Sequence, residues 1–322
     1  MPTQLQEIIE AQPAMLRVVA ELDVAEFADV LRGARRIHLV GTGTSFHAAE
    51  LGAQLLERGG VHAVAVASAD FARWHPEPAG DEAVVVLSHT GTTPYALAVR
   101  NRARIRGVPM VGIAGERSGW DNAILTPTDE RSETYTVSYT AALGVLGLLA
   151  NELAQTGTGP DAVRSAAGDV ERVIAAPDVE RVAPPRRALA LVGPGPWGVT
   201  AREGALKLRE SSRVLAEGFD PERLLHGAAV PYGSDDVLIV LEPAADADGL
   251  TGAVAAAAEA AGMTTFVFED PARSLDPFIA QIAATVRLQL LALHMSARKG
   301  TDPDTVIVGP WTAEPMWELG GP

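Results

Sequence analysis

Short, largely apolar runs alternate along this chain with longer stretches in which apolar positions return every three to four residues. The runs at 37–40, 83–87, 109–113, 188–192, 237–241 and 264–268 have the length and continuity of buried strands. The stretches at 46–57, 141–154 and 201–212 have helical spacing, and residues 1–32 read as two amphipathic helical segments. Strands alternating with helices predict parallel sheets, and the plan of the first half recurs in the second. The chain therefore reads as α/β and divides into an N-terminal part at 1–155, a helical linker at 156–187 running through Pro184-Pro185, and a second part at 188–322.

The turns that follow the strands carry the first chemical signals. Residues 37–40 stop at Gly41-Thr-Gly-Thr-Ser45, and a helix begins there, so unpaired backbone amides and the helix dipole face one point. Gly43, Thr44 and Ser45 are candidate anion ligands, although any tight strand-to-helix turn also wants glycine. Residues 83–87 run into Ser88-His-Thr-Gly-Thr-Thr93, with Thr93 placed as N-cap and Pro94 as the first helical residue. Ser88, His89, Thr90 and Thr93 supply more hydroxyl and imidazole groups than a structural turn needs. The second-half turn at 193–196, Gly-Pro-Gly-Pro, has no hydroxyl and is a poor cradle, so one phosphate site in the first half is expected.

The helix at 201–212 has two unlike faces. Glu203, Lys207 and Glu210 fall together at about 100° per residue, and Ala201, Ala205, Leu208 and Ser212 line the other side. On a wet surface the Glu203–Lys207 spacing stabilises a helix by only a few tenths of a kcal/mol. Facing a cleft, the same three groups could handle protons.

Composition narrows the classes. The 322 residues are 47% hydrophobic and 21% charged, enough for a sizeable core. A net charge of −15 argues against a nucleic-acid partner, which needs clustered Lys and Arg. There is no cysteine, hence no disulfide, thiolate or Cys-ligated metal, and the seven histidines lack zinc-helix spacing, so neither metal nor cofactor is expected. No signal-peptide pattern opens the chain and the longest apolar run, 141–150, falls short of a membrane span, so a cytoplasmic protein without a membrane partner is expected. Lysine occurs only at Lys207 and Lys299.

The string EGALKLRES, followed by AEGF and LLHG, resembles the isomerase domain of glucosamine-6-phosphate synthase, a double sugar isomerase (SIS) domain family. EIIEAQP at 7–13 resembles the entry to that domain, SHTGTT resembles its SQSGET phosphate loop, and ETYTVSYT at 133–140 resembles a segment in which Ser138 stands at a substrate-contacting serine. The resemblance implies two tandem SIS domains, each a flavodoxin-like parallel sheet flanked by helices. It makes Glu210 the carboxylate that moves a proton between sugar C1 and C2, His226 the residue that opens the ring, and Lys207 the group that steadies Glu210.

Departures are visible too. His89 replaces Gln, Thr90 replaces Ser, Thr92 replaces Glu, Tyr95 replaces Asp and Thr140 replaces Lys. No lysine follows Lys299, whereas the family's tail carries one, and Trp311, Met316 and Trp317 stand in the tail instead. The resemblance begins almost at Met1, so the glutaminase domain and its N-terminal cysteine are not expected, nor is ammonia drawn from glutamine.

The implied activity is a phosphosugar isomerase acting on an aminosugar or ketose 6-phosphate, with amine release as in a glucosamine-6-phosphate deaminase as one form. A fructosamine-6-phosphate deglycase and a non-catalytic sugar-phosphate sensor are the alternatives. In relatives the histidine arrives from a second subunit, so a homodimer with a shared active site is implied.

Overall fold

The computed structural model describes residues 2–269 and 276–321. Two compact units emerge, and neither is continuous in sequence: one holds residues 11–130, 137–167 and 307–322, the other 1–10, 131–136 and 168–306.

The first unit takes in most of α1 (Gln4–Val19), whose first turns belong to the other unit, and all of α2 (Ala25–Leu31). It is built from β1 (Arg36–Gly41), α3 (Thr44–Arg58), β2 (Ala63–Ala67), α4 (Ser68–Arg73), β3 (Glu82–Leu87), α5 (Pro94–Arg106), β4 (Met110–Gly115), β5 (Ala123–Thr126) and α6 (Val137–Ala154). All neighbouring strands pair in parallel, in the order β2-β1-β3-β4-β5, which is the flavodoxin-like order. Every residue of β3 is buried, the pattern of a central strand covered by helices on both faces, which is why 83–87 reads as one unbroken apolar run.

Strands β1 and β3 are neighbours, with Val40 opposite Val86, and the chain leaves them in opposite directions to reach β2 and β4. Loops 41–45 and 88–93 therefore both lie at the carboxyl edge of this sheet, at its topological switch point, where open α/β sheets bind ligands.

After α7 (Pro160–Ala175) the second unit repeats the plan with β6 (Ala188–Val192), α8 (Pro196–Ser212), β7 (Leu215–Phe219), the single turn α9 (Pro221–Arg223), β8 (Val237–Leu241), α10 (Leu250–Ala260), β9 (Thr264–Phe268) and α11 (Pro277–Lys299). Its parallel order is β7-β6-β8-β9. A last short helix, α12 (Glu314–Glu318), belongs with the first unit.

Gly195, before α8, takes φ 52° and ψ −122°, and Gly43, before α3, takes φ 52° and ψ −128°. Positive φ with strongly negative ψ is open only to glycine at low cost, so the two sheets share one strand–turn–helix device. Helix α8 then lies close on β7. A Cβ at Gly218 would come 2.3 Å from the Arg202 nitrogen and 2.4 Å from the Ala201 carbonyl carbon, so only glycine admits the helix at this spacing.

Helix α6 starts at Val137, four residues before the apolar run that marks it in the sequence, because Glu130 accepts the Ser138 amide at 2.8 Å and fixes the first turn. With that extension α6, like α11, is long and apolar enough to cross a bilayer by length and composition, although the apolar run at 141–150 alone is not. Most of each helix is buried within the protein, the ordinary state of a core helix.

Candidate active site

Helix α8 is closed off on both faces. Ala201, Ala205, Leu208 and Ser212 are buried as an apolar side should be, and Glu203 and Lys207 are equally inaccessible. The wet-surface reading of this helix is thereby excluded. The Lys207 ammonium lies 2.6 Å from Glu210 Oε2 and 3.5 Å from Glu203 Oε1, and donates to the Tyr135 carbonyl at 2.8 Å. Glu210 retains 20% side-chain exposure where Glu203 and Lys207 retain 0% and 1%, so it is the one of the three that reaches solvent. Taking charges out of water costs several kcal/mol each, and the mutual attraction of one ammonium with two carboxylates offsets it only because the contacts are this close. The chemical capacity is that of a carboxylate held in place by a buried cation and turned toward the outside.

His226 stands on a separate turn after α9. Its Nδ1 is 2.9 Å from the Glu222 carbonyl oxygen, which leaves Nε2 as the acceptor in the neutral ring, and the side chain is exposed. Gly227, at φ 102°, reverses the chain behind it.

The loop after β3 is the second candidate centre. The Ser88 hydroxyl donates to Thr93 Oγ1 at 3.4 Å, and the Thr92 hydroxyl donates to Thr90 Oγ1 at 3.0 Å. Thr93 and Pro94 take the helix-start positions expected of them, yet the Thr93 side chain does not cap α5. Its hydroxyl is turned to Ser88 instead, which leaves the helix N-terminus without a side-chain cap. Ser88 is buried, His89 and Thr93 are half-buried, and Thr90 is exposed, so the loop presents a graded set of hydroxyls.

His89 packs against Gly115 with its Nδ1 3.4 Å from Thr128 Oγ1, and burial pushes its imidazole below the ordinary value of 6.5 while Asp129 opposes that push. It is therefore neutral near pH 7. At the neighbouring loop the amides of Ser45 and Phe46 turn back onto the carbonyls of Thr42 and Gly43 at 3.0 Å, with Gly43 exposed and the side chains of Thr44 and Ser45 half-buried.

Ser138 lies elsewhere in the chemistry. Both its amide and its hydroxyl bond Glu130 Oε1, at 2.8 and 2.9 Å, so its first role is at the start of α6. Sequence reasoning missed Glu130, the Tyr135 carbonyl and Thr128. None carries a local motif, and each acts through a contact made only on folding.

The family is legible at this point. Residues 30–152 match the SIS domain model. Beyond it, the chain is 30% identical over 334 residues to the glutamine–fructose-6-phosphate aminotransferase (isomerizing) of Pyrococcus horikoshii, an alignment covering 93% of this chain and 55% of that one. The chain spans about half the length of the curated relatives it matches. Among solved structures it superposes on the C-terminal domain of glucosamine-fructose-6-phosphate aminotransferase from Francisella tularensis with a TM-score of 0.81 at 20% identity, covering 95% of this chain and 98% of that one. It superposes equally on the glucosamine-6-phosphate deaminase of Thermotoga maritima, at TM-score 0.81 and 18% identity, covering 96% and 99%. Identities this low establish a shared fold.

Proposed function

We propose that this chain is a phosphosugar isomerase of the SIS type, with two tandem SIS domains, acting on an aminosugar or ketose 6-phosphate. The observation that carries the reading is the buried Lys207 clamped to Glu210, with Glu203 as the second carboxylate on the same ammonium. The repeated turn at Gly43 and Gly195 supports the tandem arrangement.

In this reading the sugar phosphate is held by the hydroxyls of Ser88, Thr90 and Thr93 and by amides of the loop before α5. Ring opening moves a proton between the ring oxygen and the C1 hydroxyl, and the His226 imidazole can accept it at one atom and return it at the other. Glu210 then removes the proton from the carbon beside the carbonyl or imine. That C–H is weakly acidic, so the base must be fixed at short range and kept from solvating water. Lys207 does the fixing. The proton returns to the neighbouring carbon while a hydroxyl proton passes between the two oxygens, which completes the exchange of aldose and ketose. Where C2 carries an amine the same transfer from C2 to C1 gives a C2 imine, and water adds to it to leave the ketone and free ammonia, the deaminase form of the same chemistry.

The test is hydrogen exchange in D2O with a panel containing glucosamine 6-phosphate, fructose 6-phosphate and fructosamine 6-phosphate, read by NMR of the sugar and by ammonia release. Deuterium should enter C1 or C2 with wild-type protein and not with Glu210→Gln, whose kcat should drop by about 10²–10⁴-fold with little change in affinity. Exchange that persists in Glu210→Gln, or that occurs with no member of the panel, removes the catalytic assignment.

A further inference from the structure

Trp120 follows the short turn after β4 and is buried to 7% exposure. Its indole Nε1–H donates to the Gly91 carbonyl at 3.0 Å, in the middle of the loop 88–93. The ring fills a slot that two glycines leave open. A Cβ on Gly91, which has φ 70°, would come 2.7 Å from Trp120 Nε1, and a Cβ on Gly112 of β4 would come 2.7 Å from Trp120 Cε3. Arg100 of α5 covers the ring with its guanidinium carbon 3.9 Å from a ring centroid, and its Nη2 reaches Asp121 at 3.3 Å. The Trp120 amide bonds Ser118 Oγ at 3.3 Å. The indole is thus held under Arg100 and by its own backbone before it touches the loop.

We infer that Trp120 is a positioning residue that sets the direction of the Gly91–Thr92 peptide and so presents the Thr92 amide to the substrate phosphate. Across a planar trans peptide the C=O and N–H point in opposite directions. Holding the Gly91 oxygen on the buried indole turns the Thr92 N–H outward, to the exposed side where the Thr90 and Thr92 hydroxyls stand. There the amide has only a long bond to Thr90 Oγ1, at 3.3 Å, which a charged phosphate oxygen readily replaces. Without the indole donor the peptide is free to turn over. It would then offer an anion a carbonyl in place of an amide.

This inference rests on reading the loop as the phosphate cradle, and its test separates the two. Trp120→Phe keeps the ring, the slot and the Arg100 contact and removes only the donor. Binding of glucosamine 6-phosphate and fructose 6-phosphate to the full chain is measured by calorimetry, with KM and kcat on whichever is turned over. The expected result is a Kd and KM raised about 10-fold or more, with kcat retained and the melting temperature close to wild type.

If wild type binds a phosphosugar and Trp120→Phe binds it equally well, the positioning role is overturned and the phosphosugar reading stands. If kcat, KM and melting temperature all deteriorate together, Trp120 is a packing residue and the inference is again overturned. If wild type binds neither sugar phosphate, the functional reading fails and the inference goes with it. Should Trp120→Phe not fold, wild-type protein labelled with ¹⁵N-tryptophan gives the same answer. The hydrogen-bonded Trp120 indole resonance must shift as the phosphosugar is titrated, and an unmoved resonance overturns the role.

Discussion

Glu203 and Lys207 stand one helical turn apart with 0% and 1% side-chain exposure, so a pairing common on wet helix surfaces is here sealed inside the protein. Removing the cation leaves two carboxylates facing one another at the wall of α8. Lys207→Met should lose about 3–5 kcal/mol in urea denaturation, because a buried charge without its partner retains its full desolvation cost. Adding Glu203→Gln to the same chain should recover part of that loss. A single variant as stable as wild type would show that the ammonium does not hold this cluster together.

Thr93 is expected to act on affinity. A hydrogen bond to a charged group contributes about 1.5–3 kcal/mol, so Thr93→Val should weaken phosphosugar binding by about one to two orders of magnitude. The net charge of −15 does not remove this effect, since at physiological salt distant charges are screened beyond about 8 Å. Normal binding by the variant, measured by calorimetry, would make the loop structural.

Gly218 tests the seat of the helix. Gly218→Ala places a methyl against the backbone of Ala201 and Arg202, which cannot rotate away as a side chain could. Overpacking typically costs about 1–3 kcal/mol, and more is expected against rigid backbone. Because α8 must shift to relieve it, activity should fall further than stability. A variant with wild-type melting and turnover would show that α8 tolerates displacement.

Acid should unfold the protein from the first sheet. His38 is fully buried with its Nε2 3.1 Å from Glu82 Oε2. Burial pushes the imidazole below its ordinary value of 6.5; the neighbouring His75 and Arg36 push the same way and Glu82 opposes. For Glu82, burial alone would raise the carboxyl, but the Ala79 amide, His38 and Arg35 outweigh it and hold it below 4.5. Both groups bind protons more readily in the unfolded chain. Stability is therefore present above pH 6.5, declines as pH falls below that value through His38, and declines again below 4.5 as Glu82 is forced to protonate. Urea midpoints measured from pH 8 to pH 4 should fall in that sequence, and His38→Phe should remove the first decline. A midpoint that rises between pH 7 and pH 6 would contradict the assignment.

A shared site between subunits has a direct assay. Glu210→Gln and His226→Ala, each inactive alone, should regain activity when unfolded together and refolded as mixed dimers, up to about a quarter of the wild-type level if half the protein is hybrid and one of its two sites is intact. Absence of recovery, or a monomer by light scattering, would place both residues in one chain's own site.

The central strands are legible in the sequence because burial on both faces forces an unbroken apolar run, and β6 and β8 fall where those runs lie, while the edge strand β9 is legible through its β-branched and aromatic run TTFVF. Strands β2, β5 and β7 leave no such mark. Each is a sheet edge, and partial exposure or small residues dilute the signal: β7 reads LAEGF, with a glycine demanded by α8 rather than by the strand. At the site, the i,i+3 and i,i+4 spacing of Glu203, Lys207 and Glu210 puts them on one face, but burial of that face depends on residues 131–136 and on α11, far away in sequence. The Tyr135 carbonyl and the Trp120–Gly91 bond are in the same position, since no periodicity foretells a contact between a side chain and a distant backbone atom.

Sealing Lys207 also decides how the protein meets amine-reactive reagents. Only two lysines exist, and Lys299, at the end of α11, is exposed with its Nζ on the Arg213 carbonyl at 3.2 Å. An N-hydroxysuccinimide dye or a surface-coupling matrix therefore finds one accessible lysine side chain, on the far side of the reactive distinction from the buried one. The folded molecule can be tagged at Lys299 with its inner ammonium untouched, and acylation of Lys207 becomes a direct clock for the opening of α8.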